Sequence, residues 1–375
     1  MQRLMPLLQL QPWRRFYLAM VLLCFIWLMV EPTLDFSMVQ TPVKTVLITK
    51  PISLLMIMML QLKSLAMWTI QNSKASLRSV IEKYSRTSLP QFPSNNVTSK
   101  FGTVKVSKVA SLFESLDVVC DPVEVIETEF PMSMESVGQM FGFLLYVSEY
   151  PGKASISILS IPKVHDRAQI FVSCSLMDDR GSPRYVGTIE RWSNRALAIP
   201  NIKCSSNTSL FILVENMGRV NYGPYIYDRK GILSDVILDG SILHSWKMYP
   251  ISFGQLNNLL KDDSIVQVTS TRTGLWSEEP RFYEGRLYID PLDKIEDTFI
   301  SFRGWNKGVA FINNFNIGRF WPSFGPQCTL YVPAPILRHG ENLVVILELH
   351  SPKTDLTIEF VENPDFTCGS KSRHV

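Results

Sequence analysis

From about Ser76 onward the chain is written in short apolar runs separated by Gly, Pro and Asn, with hardly any apolar pattern at helical spacing. This spacing restricts the fold most, because short runs rich in Val, Ile, Phe and Tyr bury themselves as paired strands. Leu210 to Val214 is unbroken and suits a buried strand. Ser155-Ile156-Ser157-Ile158 alternates polar and apolar residues as a half-buried strand does, and Thr298 to Phe302 and Leu343 to Leu349 repeat the pattern. Asn313-Asn314, between Phe311-Ile312 and Phe315, tolerates the positive φ of a tight hairpin turn. Regularly spaced short strands predict an all-β chain of tandem jelly-roll or β-sandwich domains. The reading divides it into an amino-terminal segment 1–75, a linker 76–100, a first β-domain 101–250, a second β-domain 251–366 and a tail 367–375. The join falls near Pro250 to Asp263, where Asn, Asp and Lys accumulate.

A chain of 375 residues, 46% of them hydrophobic, can fill two cores. The net charge of +3 comes from scattered Lys and Arg, so nothing tracks a phosphate backbone and nucleic acid is not an expected partner. Five histidines make no His-x-x-x-His or Glu-x-x-His pair, and six cysteines make no Cys-x-x-Cys, so no metal site is expected. Gly218, Gly223, Gly318 and Gly325 form no phosphate loop, and no cofactor is expected. The acidic doublets Asp178-Asp179, Asp262-Asp263 and Glu278-Glu279 lie in turn-like sequence and read as solvated loops, since adjacent side chains point apart. His165 beside Asp166 reads as a strand-end cap or a carboxylate-orienting group. Trp305, Phe311, Phe315, Phe320 and Trp321 read as core or as a sugar-stacking platform. Cys174 and Cys204 share a domain: either they pair, closing a loop of about 30 residues worth about 3–4 kcal/mol, or they are two reduced buried thiols. Asn96-Val97-Thr98 and Asn207-Thr208-Ser209 are sequons, glycosylated only on the secretory route.

The first 75 residues differ in kind. They hold most of the methionines and an apolar run, Phe16 to Val30, behind Arg3, Arg14 and Arg15. Residues 1–30 at face value are a signal peptide or short anchor, and a membrane is a partner only if the run 16–30 is a real anchor. A second apolar stretch, Pro51 to Ile70, is broken by Lys63.

Two long motifs carry a resemblance. One is Gly304-Trp305-Asn306-Lys307-Gly308-Val309-Ala310-Phe311-Ile312-Asn313-Asn314-Phe315-Asn316-Ile317-Gly318-Arg319-Phe320-Trp321-Pro322, continued by Gly325-Pro326-Gln327-Cys328-Thr329-Leu330-Tyr331-Val332-Pro333. The other is Val214-Glu215-Asn216-Met217-Gly218-Arg219-Val220-Asn221-Tyr222-Gly223, and Val164-His165-Asp166-Arg167-Ala168 and Gly142 to Tyr146 fit the same register. From about Ser76 to Phe366 the chain resembles the carboxy-terminal β-domains of the lysosomal acid β-galactosidases, glycoside hydrolase family 35, the second domain being galactose-binding-like. The resemblance implies terminal β-galactosides as partners, a lysosomal, secreted or vacuolar location, Tyr222 as a substrate contact and Arg219 as an ion-pair partner. That family works with two glutamates on a barrel, the paired carboxylates of retaining glycosidases. Neither matches a residue here, so no catalytic residue is assigned and the chain is expected not to hydrolyse; a glycan- or protein-binding module, or a fragment of a mispredicted active enzyme, are the competing readings.

Residues 1–75 also admit a shifted reading, in which each codon takes the last base of one codon and the first two of the next. Met56-Ile57 and Met58-Met59 then force Asp, and Met56 to Gln61 is compatible with Tyr-Asp-Tyr-Asp-Ala-Pro, the family's barrel-closing segment. Met29 to Phe36 is compatible with Gly-Gly-Thr-Asn-Phe-Gly, another family motif. The segment is therefore expected to be barrel-coding sequence read out of frame.

Overall fold

The computed structural model describes residues 97–369 apart from 153–154, 175–182, 194, 201, 203, 205–206, 221–225, 255 and 257–277. The expectations for residues 1–75, for Asn96 and for the doublets Asp178-Asp179 and Asp262-Asp263 lie outside these residues, as does most of the expected join. All the described strands belong to one compact unit. The segment Met217–Asp228 falls in a second unit. Within that segment the Val220 N–H donates to Asp228 Oδ2 at 3.2 Å.

Strand follows strand, and the helices among the described residues are single turns such as Leu116–Val119. The chain is all-β. The strands run β1 (Gly102–Ser111), β2 (Ile126–Thr128), β3 (Phe143–Pro151), β4 (Ser157–Ser160), β5 (Val164–His165), β6 (Arg167–Ser173) and β7 (Arg184–Glu190). Next come β8 (Leu197–Ile199), β9 (Asn207–Glu215), β10 (Gly231–Ile232), β11 (Ile237–Leu238), β12 (Ser241–Ile242) and β13 (Trp246–Ile251). The last group is β14 (Arg281–Ile289), β15 (Thr298–Ser301), β16 (Gly308–Ile312), β17 (Phe315–Phe320), β18 (Thr329–Val332), β19 (Gly340–Glu348) and β20 (Thr357–Val361).

A six-stranded sheet in the order β2-β13-β3-β9-β6-β7 and a four-stranded sheet, β12-β11-β4-β8, make the first sandwich. The second is an eight-stranded antiparallel system, β17-β16-β19-β14-β1-β20-β15-β18. Burial explains the unbroken apolar runs, because strands covered on both faces lose the polar alternation. On β9, Leu210, Ile212 and Val214 enter the core of the first sandwich, while Phe211 and Leu213 face the opposite way. On β19, Val344 and Ile346 enter the core of the second sandwich, and Val345 and Leu347 face out of it. The outward sets meet: Phe143, Leu145, Phe171, Phe211 and Leu213 pack with Val309, Phe311, Val345 and Leu347 in a third cluster between the sandwiches.

Three local features differ from expectation or go beyond it. Strand β1 was expected in the first β-domain, but its registered partners are β14 and β20, with a bulge between Lys108 and Ser111, so it is part of the second sandwich. Its Val104 and Val106 fill that core, opposite Ile358 and Gly285, a long-range pairing that no local pattern announces. The strand at Ser157 exists, but its alternation runs the other way: Ser157 is buried, whereas Ile156 and Ile158 are exposed. Leu159 and Ile161, both buried, are in phase with Ser157, and the two-residue period then turns the isoleucines outward. The hairpin β16–β17 turns on Asn313 and Asn314 at φ 50° and 68°, the two left-handed residues such a turn needs. Next to it, a Cβ on Gly308 would lie 2.0 Å from the Leu347 carbonyl, so only glycine lets β16 approach β19 there.

Cys174 is bonded to Cys204 and Cys328 to Cys368, with Cα atoms 5.1 and 5.5 Å apart. Cys120 is buried as a thiol, and burial pushes it up to about 11. Because the central cluster draws on both sandwiches, they should unfold together. Phe311→Ala removes a fully buried ring from it and is expected to cost about 3–5 kcal/mol and to lower one shared unfolding transition by calorimetry. Two transitions, of which only one moves, would show that the sandwiches unfold separately.

Candidate functional site

The residues of the quoted motifs converge where strand ends of the two sandwiches meet. Glu215 closes β9, Arg167 opens β6 directly opposite it, Lys307 precedes β16, Arg319 lies on β17 and Glu348 closes β19. Lys307 Nζ is 2.7 Å from Glu215 Oε1, and Arg319 Nη1 reaches the same oxygen at 3.4 Å while donating to the Asn216 carbonyl at 2.6 Å. Arg167 Nη2 is 2.7 Å from His350 Nε2, and Gln169 donates to the Leu349 carbonyl at 2.9 Å. Glu348 accepts the N–H groups of Asn306, Lys307 and His350 at 3.0–3.1 Å. Lys307 Nζ also sits 4.1 Å over the Trp321 ring, and Arg167 5.6 Å.

The electrostatics follow from burial and neighbours. Burial alone would push the Glu215 carboxyl up, but Lys307 and Arg319 beside it, with Arg167 behind, hold it below the usual range, so it is ionised. For Glu348, burial outweighs the backbone N–H donors and raises it to about 8. His350 is held down to about 4 by burial and by the nearby Arg167 and Lys307. The cluster is a closed electrostatic clamp across the seam rather than an open acid–base pair.

The other motif residues form a second buried group. Asp166 receives Arg191 Nη1 at 2.9 Å and Lys230 Nζ at 2.7 Å, and all three side chains are buried. His165 belongs to β5, with Nδ1 2.8 Å from the Arg229 carbonyl. Of the doublet Glu278-Glu279, Glu279 is buried against Arg281 rather than solvated, so only Glu278 is in water. Of the aromatic set, Trp305, Phe311 and Phe320 are core, Phe315 is exposed and Trp321 is half-buried. Tyr222 lies outside the described residues, and Arg219 is half-buried.

Beside the seam, one open groove of about 170 Å³ is lined by Arg319, Trp321, Phe324, Gln327 and Thr329. Phe324 stacks on Trp321, centroids 4.7 Å apart, yet is 73% exposed. Sequence reading gave Phe324, Lys307, Glu348 and His350 no role. A charge set in a continuous apolar strand, as Glu348 is between Leu347 and Leu349, was the available signal for the seam cluster. Nothing local marks Phe324.

Comparison with known proteins places this geometry. Residues 131–252 match the model described as "Beta-galactosidase, first all-beta domain", and residues 280–342 match "Beta-galactosidase, galactose-binding domain". Beta-galactosidase 8 of Oryza sativa subsp. japonica is 56% identical over 322 residues, 80% of this chain and 48% of that protein. Beta-galactosidase 17 of Arabidopsis thaliana is 53% identical over 310 residues, 80% and 44% of the two chains. The Beta-galactosidase of Homo sapiens is 36% identical over 293 residues, 73% and 40%. The chain spans about half the length of the curated relatives it matches. Through two matched β-domains, which between them hold Arg167, Glu215, Lys307, Arg319 and Trp321, the chain resembles the β-domain portion of the β-galactosidases.

Proposed function

We propose that the chain serves as the non-catalytic β-domain portion of a β-galactosidase of the glycoside hydrolase family 35 type, and that these 375 residues alone hydrolyse no β-galactoside. Terminal β-galactosides are the sugars it meets in this reading, with Tyr222 as a contact. The observation that carries it is the state of the buried carboxylates. Retaining hydrolysis uses two carboxyl groups about 5–5.5 Å apart facing one accessible site. Here Glu215 is engaged by Lys307 and Arg319, Asp166 by Arg191 and Lys230, Glu279 by Arg281, and Glu348 by backbone N–H groups. Each serves the fold. Among the described residues no carboxylate lines the groove beside Trp321.

The two disulfides support an oxidising compartment, in line with a lysosomal, vacuolar or secreted location. Asn207 is exposed at the first position of β9, which supports it as a glycan acceptor, with Asn96 proposed as a second.

The purified chain is expected to release no chromophore from a nitrophenyl β-galactoside at acidic pH above that of an empty-vector preparation. Turnover that co-purifies with the chain would overturn the reading.

A structural cluster titrates in stability rather than in rate. Glu348 is raised from 4.5 to about 8, so between those values the folded chain keeps a proton that the unfolded chain has released. Stability therefore falls as pH rises through that window. His350, lowered from 6.5 to about 4, acts on the acid side: below 6.5 the unfolded chain binds a proton that the folded chain refuses, and stability falls as pH drops. Glu348→Gln should flatten the alkaline fall in urea titrations across about pH 5 to 8. An unchanged slope would place that proton on another group.

A further inference from the structure

After β20 the chain turns back as a strap, residues 362–369, and lies against the turn that follows β17. That turn is closed by the Phe324 and Gly325 N–H groups, which both donate to the Trp321 carbonyl. A Cβ on Gly325, at φ 56°, would lie 2.2 Å from the Cys368 carbonyl, and one on Gly369 would lie 2.8 Å from the Phe324 carbonyl, so strap and turn touch backbone to backbone. The strap adds nothing to the apolar core of the second sandwich, whose last buried member along the chain is Phe360. Polar ties hold it instead. The Cys328 N–H donates to the Asp365 carbonyl at 2.8 Å, the Cys368 N–H to the Pro326 carbonyl at 2.9 Å and the Asp365 N–H to Thr329 Oγ1 at 3.0 Å. The Cys328–Cys368 disulfide fastens it covalently.

The two sulfurs of that bond are not alike. Cys328 is 1% exposed whereas Cys368 is half-buried, so a reagent arriving from water reaches Cys368 first. The deeper sulfur has a cation beside it, for Arg303 Nη2 lies 3.4 Å from Cys328 Sγ. In thiol–disulfide exchange the attacking thiolate bonds one sulfur and expels the other, and the departure is faster the better the departing thiolate is stabilised. A neighbouring guanidinium stabilises it. Attack on Cys368 therefore expels the sulfur that Arg303 serves. With the strap in place the same Nη2 is engaged by the Asp365 carboxylate and by Thr367 Oγ1 at 2.6 Å, both of them strap residues. Both leave when the strap lifts, while Arg303 and Cys328 stay on the sandwich. The guanidinium thus has an anionic partner in either state, the carboxylate when the strap is closed and the thiolate when it is open. In the other disulfide it is the neutral Thr208 hydroxyl that stands 3.7 Å from Cys204 Sγ.

We propose that Cys328–Cys368 is a redox latch: a small thiol of the cysteine or glutathione type opens it by attack on Cys368, Arg303 passes from Asp365 to the Cys328 thiolate, and the strap lifts off the turn at 321–325. In the first step the S–S bond breaks, a bond forms between the attacking sulfur and Cys368, and Cys328 leaves with the electron pair. A second thiolate then attacks the small-molecule sulfur of that mixed disulfide and releases Cys368. The small thiols are oxidised to their disulfide and the protein sulfurs are reduced. Of the protons that the small thiols give up, one goes to Cys368 and the other to solvent, because Cys328 stays a thiolate beside Arg303. The turn released in this way carries Trp321, whose ring lies over Lys307, so the latch controls the cap of the polar seam.

The full 375-residue chain is incubated with reduced glutathione at neutral pH, quenched with acid, alkylated and mapped by mass spectrometry, with Cys174–Cys204 as the internal reference. Opening of Cys328–Cys368 at a rate proportional to glutathione, with the trapped glutathione on Cys368, is the expected result. Arg303→Gln should slow that opening severalfold relative to the reference. The direction is the decisive part, because a substitution that merely loosened the strap would speed opening. Arg303 is more than half exposed, so its replacement leaves the core intact and the Tm of the oxidised chain checks this. Asp365→Asn, which frees the guanidinium for the thiolate, should speed opening. In the reduced chain, hydrogen exchange should rise at 321–329 and 362–369 while β9 and β19 keep their protection. Glutathione trapped on Cys328, or an opening rate in Arg303→Gln that equals or exceeds the parental one, refutes the assigned direction of attack and the part given to Arg303. A rate independent of glutathione and shared by both disulfides shows that reduction follows global unfolding, and the latch is then rejected. It is rejected as well if the reduced chain keeps full protection at 321–329 and 362–369.

Discussion

Lys307 and Glu215 meet at 2.7 Å where both are removed from water, and the way the two sandwiches sit together depends on that pair. Apolar contact alone would hold the faces but tolerate sliding, since Phe211, Leu213, Val345 and Leu347 form a surface of similar side chains. Sliding by one pleat would separate the ions. Breaking such a buried pair is costly, about 3–5 kcal/mol, because each partner becomes an uncompensated charge. A buried pair adds little over a well-packed apolar one. Its service here is to make every other alignment worse, with Arg319 and the Asn216 carbonyl as a second fastening beside it.

The same constraint explains why Glu348 is placed as it is. Its carboxyl gathers three N–H groups from Asn306, Lys307 and His350, which would otherwise be buried donors at the ends of β16 and β19. Satisfying them sets the backbone on which Lys307 is carried. Thus the apolar seam is finished at one end by a polar plug, and Trp321 caps the plug with its ring over Lys307.

Much of the fold was legible because strand chemistry is local. The unbroken run Leu210 to Val214 became a central strand buried on both faces, and Asn313-Asn314 became the two-residue turn that its tolerance of positive φ requires. What stayed hidden was non-local. Ser157 and Ile158 have the pattern of a strand in either orientation, and only the phase set by Leu159 and Ile161 decides which face is inside. Strand β1 reads as strand from its own residues, yet its partners, Gly285 of β14 opposite Val106 and Ile358 of β20 opposite Val104, follow from closure of a sheet by strands far along the chain. The candidate site divided the same way. Glu215, Lys307 and Arg319 stood inside recognisable motifs, but that two separate motifs share one carboxylate is a property of the assembled seam. Phe324 had no signal at all, because exposure of an aromatic depends on the turn and strap around it.

Arg319 connects these two levels. One of its nitrogens is spent on the seam, on Glu215 and the Asn216 carbonyl, and its side chain is also a wall of the groove. Trp321 is shared in the same way, with Lys307 over its ring and Phe324 stacked on it. The groove therefore has no existence apart from a correctly registered pair of sandwiches. The second sandwich folded alone would lose the Glu215 carboxylate that Arg319 reaches across the seam.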